Sequence, residues 1–93
     1  MPLYLDIHKN VDGATPDAVA AAHAKDLETQ EQYGVKYLRY WLDESTNTLF
    51  CLVEAPNQQA AERVHREAHG LTADEIHEVR EGYSYDAQME DAP

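Results

Sequence analysis

The chain has 93 residues, a formal net charge of −11 and one cysteine, Cys51. That length makes one domain with a modest core, and the charge repels phosphate backbones and anionic bilayers alike, so neither nucleic acid nor membrane is expected as a partner. No apolar run approaches the ~18 residues of a membrane span, Met1 to Asp6 lacks the basic and apolar parts of a secretory leader, and a lone cysteine closes no intrachain disulfide; together these favour the cytoplasm.

Leu3 to His8 reads as a strand, with Leu3, Leu5 and Ile7 on one face and Tyr4, Asp6 and His8 on the other. Asn10 to Ala14 is a loop. Thr15-Pro16-Asp17 opens a helix, since Thr15 can cap, Pro16 suits the first turn and Asp17 favours the dipole. The helix is expected to run to about Gln32 and to stop at Gly34 in a left-handed cap. Lys36 to Asp43 and Thr48 to Glu54 form a hairpin around the turn Glu44 to Asn47. Asn57 caps a second helix that reaches about His69, and Gly70 stops it. Asp74 to Arg80 is a short fourth strand.

From Asp74 onward there are seven acidic residues and one basic one. The reading is therefore a domain over residues 1–81 followed by an acidic, flexible tail over 82–93. The order β-α-β-β-α-β predicts an α+β, ferredoxin-like sandwich: an antiparallel sheet with two helices on one face. In the hairpin both faces are apolar. Leu49, Cys51 and Val53 oppose Phe50 and Leu52, while Leu38, Tyr40 and Leu42 oppose Tyr37 and Trp41. Two helices cover one face only, so a homodimer burying Trp41 and the open face is expected.

Five histidines stand in the chain, at His8, His23, His65, His69 and His77. His65 and His69 are four apart, so both rings lie on one side of the second helix, where two ring nitrogens can reach one ion. Glu62 falls on the same side and offers a carboxylate. The stripe Ala61, Val64, Ala68 lies beside the pair and places it at the rim of the core. The residue after His65 is Arg66, so the zinc-protease pattern is absent. His8 shares a strand face with Asp6, so the two can ligate together, or Asp6 can orient His8. His23 lies on the apolar stripe of the first helix and is expected to be buried and hydrogen-bonded, with Asp26 or Gln30 as partner. His77 is expected to be exposed. Cys51, mid-strand in an apolar run, reads as inert packing. Imidazole and carboxylate donors suit nickel, copper, zinc or cobalt above calcium or magnesium.

The segments Ala22-His23-Ala24-Lys25-Asp26-Leu27, Tyr33-Gly34-Val35, Tyr40-Trp41, Phe50 to Pro56 and Val64-His65-Arg66-Glu67-Ala68-His69-Gly70 resemble a family of small bacterial nickel-binding, or nickel-responsive, proteins best known from actinobacteria. The resemblance covers roughly Leu3 to Arg80 and is most specific over Val64 to Gly70. It implies a dimeric ferredoxin-like fold and nickel held near the surface for sequestration, without turnover. The metal residues expected here are His65, His69, Glu62, His8 and Asp6, with Ni2+ as the ion. The competing reading is a small enzyme of the dimeric α+β barrel type, in which His23, His65 and Tyr40 line a cavity between sheet and helices and act as acid or base. A plain ligand-binding module is the third. Histidines at the rim favour metal, and histidines converging on one closed cavity favour the enzyme.

Overall fold

The computed structural model describes residues 1–82 of the chain; apart from Gly82, the expected tail lies outside them. Four strands form one sheet: β1 (Leu3–His8), β2 (Lys36–Asp43), β3 (Thr48–Glu54) and β4 (Glu75–Val79). Their order is β2-β3-β1-β4, and every neighbouring pair is antiparallel. Helices α1 (Pro16–Thr29) and α2 (Gln58–Ala68) pack on one face. This is the ferredoxin-like sandwich that the element order predicts.

The caps explain where the helices lie. The Thr15 side chain accepts the Ala18 N–H at 3.1 Å and starts α1. That helix gives way to a 3-10 turn over Gln30–Tyr33, and Gly34 closes it at φ 67°. Asn57 accepts the Ala60 N–H at 2.8 Å and starts α2. At its end the N–H groups of His69 and Gly70 both return to the His65 carbonyl, at 3.1 and 2.9 Å. Gly70 adopts φ 83°, which costs a glycine little. The last turn of α2 is thereby fixed, and with it the two histidine side chains.

Two features of the sheet position the site. In β1 the inward face is the polar one: Tyr4, Asp6 and His8 are buried, whereas Leu3, Leu5 and Ile7 are half-buried on the open face. In β2, Tyr37 pairs with Val53 and Arg39 with Leu52, which leaves Leu38 as an extra residue. This bulge shifts the side-chain alternation by one. Tyr37 therefore joins Tyr40 and Leu42 on the helix-covered side, not Trp41 as strict alternation requires. The covered core is built on Tyr4, Val19, Tyr37, Leu49, Val53 and Val64. On the open face, Trp41 pairs with Phe50, Phe50 with Ile7, and Leu52 with Leu5; Trp41 stays 48% exposed.

Candidate metal centre

Among the described residues, Asp6, His8, Asp26 and His65 are polar and buried. An unpaired buried charge costs several kcal/mol, so such groups must answer one another. Asp6 projects from the middle of β1. Its Oδ1 lies 3.1 Å from His8 Nε2, and its Oδ2 lies 3.3 Å from the Tyr37 hydroxyl. The Tyr37 proton is shared with the Ala61 carbonyl at 3.0 Å. Asp26 reaches in from α1, and its Oδ1 stands 2.9 Å from His65 Nδ1 and 3.0 Å from His69 Nε2. His65 thus lies between two carboxylates, stacked on the Tyr37 ring at 4.5 Å and edge-on to His8 at 4.9 Å.

Among the described residues, two buried ring nitrogens are left over. His65 Nε2 is 3.1 Å from Asp6 Oδ2, yet off the line of a hydrogen bond, and it has no hydrogen-bond partner. His8 Nδ1 has none either. His69 is different. Its Nδ1 accepts the Leu71 N–H at 3.1 Å, so the ring proton sits on Nε2 and is donated to Asp26.

The charges follow from this geometry. Burial works to raise the Asp6 carboxyl, but the His65 and His8 rings beside it outweigh that and hold the group at about 2. Asp26 is lowered in the same way, against its burial, by His65 and His69. Burial works to lower His65, and the two carboxylates overcome it and raise the ring to about 9. Burial, then the negative charge of Asp6, pushes the Cys51 thiol far up. The Tyr37 phenol is raised for the same two reasons.

Two donor groups share His65. The inner group is Asp6, His8, Cys51 and His65, all buried; the outer is Asp26, His65 and His69. Within each, one donor atom per residue lies within 4.8 Å of the others. The inner group fits a transition ion. It holds an imidazole nitrogen with no hydrogen-bond partner, and its donors are nitrogen, oxygen and sulfur, not the oxygen cage of calcium or magnesium. The outer group fits a supporting role. Asp26 takes the second nitrogen of His65, and a carboxylate in that position fixes the tautomer and orientation of a ligating ring.

A pocket with a volume of about 10 Å³ is lined by His23, Asp26, Tyr40, Cys51, His65 and His69, and so touches the whole outer group and the Cys51 and His65 side of the inner one. That volume is room for one water molecule or one ion.

The residues singled out in the sequence meet only in part. Asp6, His8 and His65 come together. His65 lies deep, with its side chain 2% exposed, and not at the rim; its carboxylate partners make that burial affordable to a polar ring. His69, at 9%, does hold the rim position. Glu62 is half-buried and joins neither donor group. His23 is half-buried against the Tyr40 ring at 4.7 Å, not buried and hydrogen-bonded, because Asp26 is turned toward His65 and His69. His77 is 56% exposed and pairs with Glu75 at 2.9 Å, as expected. Asp26 was not among the expected metal residues. Its signal is present: it lies two helical turns after Val19, on the stripe that α1 buries.

The model of the nickel responsive protein SCO4226-like family matches residues 4–79. No curated protein matches. Among solved structures, the chain is similar to the crystal structure of SCO4226 from Streptomyces coelicolor A3(2), with 37% sequence identity, 87% of this chain and 99% of that chain covered, and a TM-score of 0.81. With both helices, all four strands apart from Leu3, and every residue of the two donor groups inside the matched span, this chain belongs to the nickel responsive protein SCO4226-like family.

Proposed function

We propose that the protein binds a divalent transition ion, nickel by its family, and sequesters it without turnover. One observation carries this reading: the buried His65 ring is held by Asp26 at Nδ1, while its Nε2 has no hydrogen-bond partner and faces Asp6. Asp6 and His8 are its nearest fellow donors; Asp26 and His69 keep the ring in place. The family name supports nickel as the ion. The test is calorimetric titration of tag-free protein with nickel, comparing His65→Gln, Asp6→Asn and His77→Ala. Loss of binding in the first two with parental binding in the third is the expected result. If His65→Gln binds nickel like the parent, the site lies elsewhere.

The enzyme reading has an observation in its favour, since His23, Tyr40 and His65 do converge on one pocket. The pocket's volume of about 10 Å³, far below the roughly 300 Å³ or more of a small-molecule site, favours the ion over a substrate. We propose further that the open sheet face, centred on Trp41, Phe50, Leu5 and Leu52, is covered by a second copy of the chain. A cytoplasmic location belongs to the same reading, because the free Cys51 thiol suits a reducing compartment.

A further inference from the structure

Cys51 reads at first as packing, since its neighbours on the covered face of β3 are Leu49 and Val53. Its surroundings are not those of a packing residue. It stands opposite Asp6 across the β1–β3 ladder and opposite Tyr40 across β2–β3. It shares the inner donor group with Asp6, His8 and His65. An independent observation points into the same space: His65 Nε2, on a side chain 2% exposed, lacks a hydrogen-bond partner and faces Asp6 at 3.1 Å.

We propose that Cys51 is a thiolate ligand of the bound ion, completing with Asp6, His8 and His65 a closed centre of one sulfur, one oxygen and two nitrogens. The inference rests on the ion-binding reading above and sharpens it. Such a donor set suits a four-coordinate borderline ion, such as nickel, cobalt or zinc, and excludes magnesium and calcium. The geometry is close to what is needed. Bonds of about 2.0–2.3 Å in a tetrahedron place donors roughly 3.3–3.8 Å apart. The donors here already lie within 4.8 Å of one another, so side-chain movements on the order of 1 Å close the shell.

Binding exchanges the ion for two protons. The Sγ–H bond of Cys51 and the Nε2–H bond of His65 break, an Sγ–metal and an Nε2–metal bond form, and both protons leave to solvent, with no change in oxidation state. Cys51 and His65 are the buried donors of the pocket beside this centre, and His23, Tyr40 and His69 are its half-buried ones.

The test is cobalt(II) and nickel(II) titration of the full chain, followed at once by calorimetry and by near-ultraviolet absorption. The expected result is an intense sulfur-to-metal charge-transfer band in the parent. Cys51→Ser should lose the band and weaken binding at least about tenfold, keeping the parental circular dichroism. His69→Ala should keep the band. Binding by calorimetry without a band in the parent overturns the Cys51 assignment and leaves the ion-binding reading intact. No binding in the parent overturns both. Should Cys51→Ser fail to fold, X-ray absorption of the loaded parent decides: a sulfur neighbour at about 2.3 Å supports the assignment, and a shell of nitrogen and oxygen alone overturns it.

Discussion

In the ion-free protein the His65 ring offsets the charges of Asp6 and Asp26, from 3.1 and 2.9 Å. To ligate, the same ring must give up its Nε2 proton. These two demands respond to pH in opposite ways. The folded ring titrates at about 9, against ~6.5 for an unperturbed histidine. A raised pKa contributes stability that is complete below ~6.5 and is lost as pH rises through about 9. Asp6, held at about 2 against ~3.9 unfolded, contributes stability that is complete above ~3.9 and is lost as pH falls through about 2. Thermal melting of ion-free protein should therefore be most favourable between roughly pH 4 and 6.5 and decline toward pH 9. Nickel affinity should run the other way, rising at least about hundredfold from pH 7 to pH 9, since each displaced ligand proton contributes about tenfold per pH unit. Affinity that is flat over that interval in a calorimetric titration would sink the claim that His65 is a ligand. Truncating the ring is costly in itself. His65→Ala leaves two buried carboxylates without their shared cation, a loss of roughly 3–5 kcal/mol, visible as a large drop in the urea midpoint.

Helix α2 and its C-cap supply both His65 and His69. Its start depends on one hydrogen bond, from the Ala60 N–H to the Asn57 side chain at 2.8 Å. Asn57→Ala should cost about 1 kcal/mol and lower the melting temperature by about 4–8 °C in a domain of this size. A melting curve unchanged from the parent would show that tertiary packing alone sets the helix. The caps were also what made the elements legible. Thr15, Gly34, Asn57 and Gly70 all do what their residue types suggest. Strands β1, β2 and β3 have the bounds read from alternation and turn residues, and β4 is one residue shorter at each end. What alternation missed is the Leu38 bulge, because no residue type marks it, and with it the inward turn of Tyr37. The depth of His65 was illegible for a related reason. Helical spacing places a residue on a side, but its burial depends on Asp6 and Asp26, which are 59 and 39 residues away in the chain. Spacing along one helix carries no information about either.

At the scale of the whole molecule, the open face of the sheet presents Leu5, Ile7, Trp41, Phe50 and Leu52 side by side. A patch of that kind on a small domain calls for a cover, and a two-fold pairing of identical faces supplies one. Sedimentation at micromolar concentration should give twice the 10.5 kDa chain mass, and Trp41→Glu should return the single chain. A parent that sediments as one chain at that concentration would refute the pairing. The inward turn of the polar side of β1 adds a consequence of its own. The strand gives Asp6 and His8 to the space beneath the helices and Leu3, Leu5 and Ile7 to the outside, so in the proposed pair much of its apolar surface would leave water only on association. Folding and the proposed pairing would then draw on the same apolar surface, and mass action would link them: the midpoint of thermal unfolding should climb as the protein is concentrated.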